Sequence, residues 1–479
     1  MAVKNVLQYT PVEEIPAMVK SLDDVFRSDK TESVEWRKGQ IKQLWRMMDE
    51  KEAEFQEALR LDEGKPQFEA QVFEMGLVKN DCLHMLAELD GYLEPEAVAV
   101  PPPFEYWQPK ILRQPKGVAL IIAPWNFPIN LTMLPLLGNI AAGNTVVIKP
   151  SEYTPHTAQR LAEFLPQYLD PDCFKVVNGD APIVEALLEQ KFDVILFTGS
   201  RKNGHSVMAA AAKHLTPVIL ELGGKSPVII SDKANLPIIA KRLAWGKFWN
   251  LGQICMVPDY ALVQESVYDE FVELLKKEIE SQYGPNPRKV TARIINENHF
   301  QRLSKLLSGT KGKFAVGGKD LSIDELFIEP TVIRDVSEDD VVMQDEIFGP
   351  ILPVLKYQKL EDVRAMVRKI DENPLGGYIC SEDQAEIDYV VKYIRAGDVS
   401  VNDMMAHIAV TGAPFGGQGG SGMGRYRGKG SILAFTHPKS NATVSTSDQF
   451  EGMLSWRYKN GERVGDYDFY KQHLEPALN

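Results

Sequence analysis

Apolar and polar residues follow the period of a helix through the first hundred positions of the chain. Five apolar side chains recur at helical spacing, namely Ile41, Leu44, Met48, Phe55 and Leu59. Gly64 followed by Pro66 ends that pattern, and a second helical pattern runs over 68–89. The N-terminal part of the chain is therefore predicted to be helical.

A different rhythm begins at Gly117, where short apolar runs alternate with amphipathic helical segments. The apolar runs lie at 117–123, 145–150, 174–177, 193–198 and 217–222. The helical segments lie near 131–142, 156–168, 181–190 and 203–214. Buried strands separated by helices are typical of βαβ units, so a largely parallel sheet is predicted.

A second series of the same kind follows Gly224. Its predicted strands lie near 227–231, 259–263, 329–334, 351–356 and 398–402, and its predicted helices near 235–249 and 266–282. Ahead of both series, Pro101, Pro102 and Pro103 form a stiff extended passage. The expected fold class is α/β, with two lobes and a cleft between them, and ligands are expected at the carboxyl ends of the strands.

Composition narrows the possible partners and the compartment. The chain has 479 residues, 44% of them apolar, and a net charge of −13, which disfavours nucleic acid or an anionic membrane as the main partner. Four cysteines in so long a chain do not form a disulfide scaffold and favour a reducing compartment. Because neither a secretory signal nor a transmembrane segment is visible, a cytoplasmic protein is expected, and the histidines show no metal-ligand spacing.

Three polar residues at the ends of predicted strands or helices are candidates for catalytic roles. Cys255 follows a predicted helix in a Gly-Gln turn, where backbone amides can point at a thiolate. Glu221 ends an apolar strand and is either a general base, its pKa raised by burial, or one partner of an ion pair. Asn126 lies beyond the strand at 117–123 and either donates to an oxyanion or caps the next helix. The other cysteines are expected to be small buried hydrophobes: Cys82, Cys173 and Cys380.

Two glycine-rich segments invite comparison with phosphate-binding turns. Gly199, Ser200 and Gly204 lie between the strand at 193–198 and a helix, where they form either a phosphate-binding helix N-terminus or a plain turn. The pattern G-x-G-x-x-G is matched elsewhere, by Gly417, Gly419 and Gly422. That second match neither closes a strand nor opens a helix, so a flexible turn is predicted there.

Six motifs stand in the order and spacing of the NAD(P)-dependent aldehyde dehydrogenases, a family that the chain resembles. They are PWNFP at 124–128, IKPSE at 148–152, FTGS at 197–200 with Gly204, ELGGKSP at 221–227, FWNLGQIC at 248–255 and EIFGP at 346–350. The similarity continues through PFGGQGGSGMG at 414–424. The variants at 209–227, 244–248 and 258–260 look most like the class-three branch, which includes enzymes for fatty, aromatic and apocarotenoid aldehydes.

The resemblance implies the oxidation of a medium- or long-chain aliphatic, aromatic or apocarotenoid aldehyde to its carboxylate. Cys255 would attack the aldehyde carbon to form a thiohemiacetal and then a thioester, Asn126 and the Cys255 amide would bind the oxyanion, and Glu221 would activate water. The alternatives are a CoA-acylating enzyme, which Glu221 disfavours, and a catalytically silent cofactor-binding protein. The presence of all three residues disfavours the silent alternative.

The resemblance also implies a dinucleotide site. Its residues would be Lys149, Glu152, Gly199, Ser200, Gly204, Glu346 and Phe348. Glu152 would accept from a ribose 2′-hydroxyl and repel a phosphate there, whereas Arg201 and Lys202 would favour the 2′-phosphate. NAD is expected, with NADP as the alternative, and no metal.

The family's fold implies an atypical Rossmann cofactor domain, an α/β catalytic domain and a small bridging arm used in oligomers. On this sequence the expected bounds are 1–95 and 116–220 for the cofactor domain, 221–430 for the catalytic domain, 96–115 and 431–455 for the arm, and 456–479 for a tail. A homodimer is expected for the class-three branch. Trp245 is expected in the core, and Trp249 either in the core or along a substrate channel.

Overall fold

The computed structural model describes residues 6–100 and 104–453. The extended passage predicted at 101–103 and the whole predicted tail at 456–479 lie outside the described residues. Within the part that is described, no helix combines the length and the apolar character that crossing a membrane requires.

The described helices and strands are numbered in chain order. The helices are α1 (Ile15–Phe26), α2 (Val34–Glu50), α3 (Glu52–Glu63), α4 (Gln67–Glu69), α5 (Leu77–Leu93), α6 (Asn130–Ala142), α7 (Pro155–Tyr168), α8 (Ala181–Leu188), α9 (Arg201–Ala212), α10 (Leu236–Phe248), α11 (Tyr268–Tyr283), α12 (Glu297–Gly309), α13 (Leu360–Ile370), α14 (Gln384–Tyr393), α15 (Ala406–Ala409), α16 (Gly428–Phe435) and α17 (Asp448–Met453). The strands are β1 (Glu96–Ala97), β2 (Lys110–Pro115), β3 (Val118–Ile122), β4 (Thr145–Lys149), β5 (Phe174–Val176), β6 (Val194–Gly199), β7 (Val218–Leu222), β8 (Pro227–Ile230), β9 (Tyr260–Gln264), β10 (Lys313–Val316), β11 (Leu321–Ser322), β12 (Phe327–Ile328), β13 (Thr331–Arg334), β14 (Ile351–Tyr357), β15 (Gly376–Cys380), β16 (Asp398–Val401), β17 (Gly422–Met423) and β18 (Thr436–Asn441).

The first sheet has the strand order β17-β7-β6-β3-β4-β5 and is parallel except at β17. Its central strands β3 and β4 are buried at every position, because helices cover both faces of a parallel sheet. The predicted boundary at 220/221 falls inside β7, where Glu221 pairs in register with Thr198 of β6. The helix predicted as amphipathic at 131–142 is instead apolar nearly all round, because α6 packs between the sheet and other helices.

The second sheet has the order β10-β13-β14-β9-β8-β15-β16 and is parallel apart from β10. It contains the strands predicted after Gly224, together with β10 and β15, which the pattern missed. Strand β15 opens on Gly376 and Gly377, residues with low strand propensity. The α/β fold class is confirmed, with one parallel sheet in each half.

A third sheet, β1-β2-β18, is antiparallel and joins the segment before the first sheet to the segment after α16. Strand β18 lies at its edge and is mostly exposed. The pattern did not predict this sheet, because its strands alternate little and carry prolines and charges.

The N-terminal helices are confirmed, with two local differences. The apolar stripe from Ile41 to Leu59 spans two helices, since Lys51 leaves the helical region between α2 and α3. Gly64 has a φ of 63° and ends α3, which is the left-handed cap that glycine favours. Residues Ala70–Gly76 form a π-helical stretch before α5, a distortion that is often found beside functional sites.

Candidate active site

Polar residues gather where strands of the first sheet end. Asn126 lies shortly after β3, Lys149 ends β4, and Gly199 ends β6. Glu221 is the penultimate residue of β7. Since the carboxyl ends of parallel strands share one edge of the sheet, these groups meet at the position where α/β folds bind ligands.

Cys255 follows a turn with an unusual backbone. Asn250 and Leu251 have φ values of 44° and 52°, in the left-handed region, and Gly252 follows at 73°. Non-glycine residues in that region cost about 1–3 kcal/mol each. A Cβ on Gly252 would lie 2.2 Å from the carbonyl oxygen of Gly349, so only glycine lets this turn close against the EIFGP loop.

Hydrogen bonds from three directions hold the turn. The side chain of Gln253 donates to the Arg293 carbonyl at 2.8 Å and accepts from the Ile295 amide at 3.0 Å. The backbone amide of Asn250 donates to Glu69 Oε2 at 3.1 Å. The strained conformation before the thiol is therefore fixed by its surroundings.

The Cys255 thiol is half-buried. Burial raises its pKa above the ordinary value, and the nearby carboxylates Glu346 and Glu221 raise it further, against the backbone amides of Cys255 and Met256. The resting thiol is consequently protonated, and it has to lose its proton when it attacks. The other three cysteines are fully buried and unpaired, as predicted: Cys82, Cys173 and Cys380.

Glu221 is a buried carboxylate, and no hydrogen bond of ordinary length and angle reaches its oxygens among the described residues, although the Gly417 amide opposes the rise of its pKa. Burial, followed by the negative charge of Asp398, raises its pKa well above the ordinary value. A Cβ on Gly416 would lie 2.8 Å from Glu221 Oε1, so glycine allows the loop to approach the carboxylate. The G-x-G-x-x-G match lies beside this loop and forms a short helical turn followed by β17, not a phosphate-binding turn.

Asn126 is 4% exposed and points toward the loop that carries Cys255. Its Nδ2 donates to the Gln253 carbonyl at 3.0 Å, and its own backbone carbonyl accepts from Asn250 Nδ2 at 3.1 Å. A primary amide carries two N–H donors. The hydrogen bond to Gln253 uses one of them, which leaves the other for a ligand.

The turn between β6 and α9 is shaped for close approach. Ser200 caps α9, its Oγ accepting from the Asn203 amide at 3.3 Å. A Cβ on Gly204 would lie 2.7 Å from the side chain of Leu222, so glycine lets α9 pack tightly against β7. This is the strand–turn–helix context that a phosphate-binding helix N-terminus requires.

The remaining predicted cofactor residues carry groups that suit a dinucleotide. Lys149 is buried, and its Nζ lies 2.6 Å from Glu152 Oε2. A Cβ on Gly223 would lie 1.9 Å from Glu346 Oε2, so the Glu346 carboxylate lies directly over the end of β7. Phe348 has a φ of 47°. Ammonium and carboxylate groups at strand ends match the hydroxyls of two riboses, and we conclude that these residues fit NAD(P).

The two cations expected to favour a 2′-phosphate, Arg201 and Lys202, have different surroundings. Arg201 forms an ion pair with Asp371, so its charge is already paired within the protein. Lys202 is exposed. No group of three or more His, Cys, Asp or Glu side chains is arranged as a metal site among the described residues.

Aromatic rings lie next to the turn that precedes Cys255. Trp249 is buried, and its ring contacts those of Phe73 and Trp245. The prediction that Trp245 belongs to the core is wrong, since 38% of it is exposed. It sits on the outer face of α10, one helical turn before Trp249. The two rings extend from the surface toward the Cys255 turn.

Sequence reasoning missed a buried lysine beside the site. The Nζ of Lys65 lies 2.9 Å from the backbone carbonyl of Asn126. The local sequence, a glycine and a proline around a charged residue, is typical of an exposed helix end. Asn126, whose carbonyl accepts from Lys65, is 61 residues away, so no local signal in the sequence indicates this contact.

Comparison with known proteins agrees with this geometry. The family model described as "Aldehyde dehydrogenase family" matches residues 5–441. A solved structure titled as the substrate-bound state of Staphylococcus aureus AldH is similar with a TM-score of 0.89 and 37% identity, over 96% of this chain and 99% of that one.

Two curated relatives are similar over most of their length. Beta-apo-4′-carotenal oxygenase of Neurospora crassa is 40% identical over 448 residues, 92% of this chain and 84% of that protein. Aldehyde dehydrogenase family 3 member B1 of Mus musculus is 42% identical over 443 residues, 92% of this chain and 93% of that protein. The chain therefore belongs to the aldehyde dehydrogenase family, close to its class-three members, and is an enzyme that oxidises an aldehyde to the acid with NAD(P)+.

Proposed function

We propose that Cys255 is the nucleophile of this aldehyde dehydrogenase, that Asn126 is the oxyanion donor, and that Glu221 is the base that activates water. The observation that carries the proposal is the placement of a thiol, on the strained turn that Gly252 closes, near a buried carboxylate at the end of β7, which helps to raise the pKa of the thiol. Asn126 contacts the same loop two residues before the thiol. The reaction converts an aldehyde, water and NAD(P)+ into a carboxylic acid, NAD(P)H and a proton.

In the first half-reaction the sulfur of Cys255 bonds to the aldehyde carbon, and the thiol proton leaves toward a carboxylate or solvent. The free N–H of Asn126 and the Cys255 amide donate to the carbonyl oxygen as it becomes negative, which is where fixed donors lower the barrier most. NAD(P)+ supplies the acceptor for the hydride that departs from that carbon. A thioester on Cys255 remains.

In the second half-reaction Glu221 removes a proton from water as the water oxygen attacks the thioester carbon. The carbon–sulfur bond then breaks, and the acid leaves. A carboxylate with a raised pKa is suited to this step, because a general base works best with a pKa near the working pH. Splitting one difficult step into two is the advantage of a covalent intermediate.

We propose NAD as the preferred cofactor, with NADP as the alternative. Glu152 lies beside Lys149 at the position expected for the adenine-side ribose, where its charge opposes a 2′-phosphate. The pairing of Arg201 with Asp371 removes one of the two cations that would favour NADP.

An apolar aldehyde is the proposed substrate class. Trp245 and Trp249 form an aromatic path from the surface to the Cys255 turn, and such a path suits a long aliphatic, aromatic or apocarotenoid chain. The name of the Neurospora crassa relative, a carotenal oxygenase, supports the last of these.

We further propose a homodimer in a reducing, cytoplasmic compartment. The exposed edge strand β18, in the proposed arm at 96–115 and 431–455, leaves backbone groups available for pairing with a second copy. In this proposal the first sheet, apart from β17 and the end of β7, belongs to the cofactor domain, and the second sheet belongs to the catalytic domain. Four unpaired thiols support the choice of compartment.

The experiment compares the wild type with Cys255→Ala, following NAD(P)H formation from decanal, benzaldehyde and an apocarotenal without CoA. Wild-type turnover is expected with at least one of them, faster with NAD+ than with NADP+. Cys255→Ala is expected to lose activity by about 10⁴-fold or more. The matched control, Cys173→Ala, removes a buried thiol outside the proposed site and is expected to keep kcat.

Three outcomes contradict the proposal. Undiminished turnover by Cys255→Ala would remove the nucleophile assignment. Strict dependence on CoA would indicate the acylating alternative. Cofactor binding without any turnover would indicate the silent alternative.

A further inference from the structure

The segment that joins α3 to α5 reaches both loops of the proposed site. The backbone carbonyl of Glu63 accepts from the Arg293 amide at 2.7 Å, and Arg293 is the residue that anchors the Gln253 side chain. Glu69 accepts from the Asn250 amide. The segment 63–74 is thus an inner support of the turn before Cys255, although it lies about 180 residues earlier in the chain.

Lys65 is the buried cation of this segment. Its side chain is 0% exposed, and its Nζ lies 2.6 Å from Glu74 Oε1 and 3.2 Å from Glu63 Oε2. The same ammonium donates to the Asn126 carbonyl at 2.9 Å and stands 4.4 Å above the ring of Phe127. All of its close partners therefore belong to the segment itself or to the loop that carries Asn126.

Glu74 extends the support to the other end of that loop. Its second oxygen accepts from the amides of Ile129 and Asn130 at 3.1 and 2.9 Å, where α6 begins. Together, Lys65 and Glu74 fix the backbone between β3 and α6 at both ends.

A buried ion pair of this kind is weak evidence for stability. Taking two charges out of water costs several kcal/mol per ion, and replacing both partners by apolar residues of similar volume is often neutral or stabilising. Removing only one partner is destabilising, because the other charge stays buried and unpaired. What a lysine provides at this position, and an apolar residue does not, is a donor directed at the Asn126 carbonyl. The orientation of that peptide sets the direction in which the Asn126 side chain leaves the backbone.

We propose that Lys65 is a positioning residue for the oxyanion donor and acts on catalysis through Asn126. The inference rests on the role proposed above for Asn126. Lys65 itself does not contact the substrate, because its ammonium is enclosed by Glu63, Glu74 and the Asn126 loop. Its effect is to hold the Nδ2 donor in line with the oxygen that becomes negative, where a displacement of 1 Å costs about 100-fold in rate.

The test is a double-mutant cycle of Lys65→Met, Asn126→Ala and the variant that combines them. In the presence of Asn126, Lys65→Met is expected to lower kcat by about 10- to 100-fold, with the NADH dissociation constant, from fluorescence titration, unchanged. In the Asn126→Ala background the same lysine substitution is expected to change kcat by less than about threefold, because the donor is already absent.

Lys116→Met is the matched control. Lys116 also donates to a backbone carbonyl, that of Ala434, at 2.6 Å, but it lies before β3 and away from the proposed site. Its kcat is expected to equal that of the wild type. If Lys65→Met fails to fold, the cycle is run with Lys65→Arg, which keeps the charge but presents a planar guanidinium in place of a single ammonium.

The outcomes separate this inference from the proposed function. An equal loss of kcat in both backgrounds would mean that Lys65 does not act through Asn126, and full kcat in the single Lys65 variant would remove its role altogether. Full kcat in Asn126→Ala would overturn the proposed oxyanion donor itself, and this inference with it. A weakened affinity for NADH in the lysine variant would show a general structural defect and would also overturn it.

Discussion

Glu74 and Glu221 are both carboxylates at buried positions, 0% and 2% exposed, yet their surroundings are opposite. Glu74 has an ammonium on one oxygen and two backbone amides on the other. Within the described part of the chain, no hydrogen bond of ordinary length and angle reaches either oxygen of Glu221. A satisfied carboxylate holds structure together, whereas an unsatisfied one costs free energy and is available for a proton.

The same contrast separates two regions of the molecule. In the bidentate pair of Asp81 with Arg427, the buried charges are matched. Beside Glu74 the match is incomplete, because Glu63 shares the Lys65 ammonium and burial raises the pKa of Glu63. Around Cys255 and Glu221 the pKa of each group is raised as well. Burial by itself therefore does not distinguish a catalytic carboxylate from a structural one.

Replacing Glu221 by Gln is expected to have the largest effect. Steady-state kcat should fall by about 10²- to 10⁴-fold, since the base for hydrolysis is lost, while the thioester still forms. Rapid mixing should then show a burst of about one NAD(P)H per active site, with an unfolding midpoint no lower than that of the wild type. A variant that loses the burst, or that keeps full kcat, contradicts the proposed role.

The pH profile of the wild type sharpens the same point. The base acts in its ionised form, and the pKa of Glu221 is raised, so kcat should climb as the pH rises well beyond the range in which an exposed glutamate titrates. In Glu221→Gln this rise should disappear. A flat wild-type profile from pH 5 upward would argue against Glu221 as the base.

Replacing Asp81 by Asn tests the matched region. The guanidinium of Arg427 makes two bonds of 2.9 Å to this carboxylate, and both side chains are nearly fully buried. Removing one partner of such a pair should lower the free energy of unfolding by about 3–5 kcal/mol, as measured by urea denaturation. As a control, Asp24→Asn removes an exposed ion pair with Lys20 and should leave the unfolding curve unchanged. Equal losses of stability in the two variants would contradict the distinction between buried and exposed charges.

Glu69 is intermediate between Glu74 and Glu221, because it accepts one hydrogen bond, from the Asn250 amide, yet its pKa is raised. The substitution Glu69→Gln should have the smallest effect of the changes considered. Burial raises its pKa to about 8, so the folded state holds a proton that the unfolded chain releases above pH about 4.5. The contribution of Glu69 to the free energy of unfolding is therefore fully present below pH about 4.5, and it is lost as the pH rises to about 8. Glutamine keeps an acceptor for the Asn250 amide and removes this loss.

The expected result is equal stability of the wild type and Glu69→Gln below pH about 4.5. Above pH about 8 the variant should be more stable, by at most a few kcal/mol. Urea denaturation at several pH values measures the difference. Parallel pH dependence in the two proteins would show that Glu69 does not release its proton on unfolding.

The parts of the fold that could be predicted are those in which local pattern and burial agree. The strands β3, β4 and β6 are apolar runs between helices, and a parallel sheet with both faces covered requires that pattern. The strands β1, β2 and β18 have one exposed side or are very short. The pairing of β2 with β18 also joins residues more than 300 positions apart, and no local pattern carries that information.

The candidate site divides in the same way. Cys255, Glu221 and Asn126 could be proposed because each stands in a short motif whose context is local. Lys65 could not, since its burial depends on Asn126 and Glu74 meeting around it. Trp245 was misassigned because an aromatic residue on an apolar helix is usually covered, and here nothing among the described residues covers its outer face.

The pairing of Asp81 with Arg427 has a consequence for the order in which the protein is made. The two residues are 346 positions apart, and a ribosome adds about 5–20 residues per second. Asp81 therefore waits roughly 17 to 70 seconds for its partner, on that rate. During that interval the nascent N-terminal helices carry a carboxylate without the cation that it pairs with in the finished enzyme, and they depend on chain that is made later to bury it.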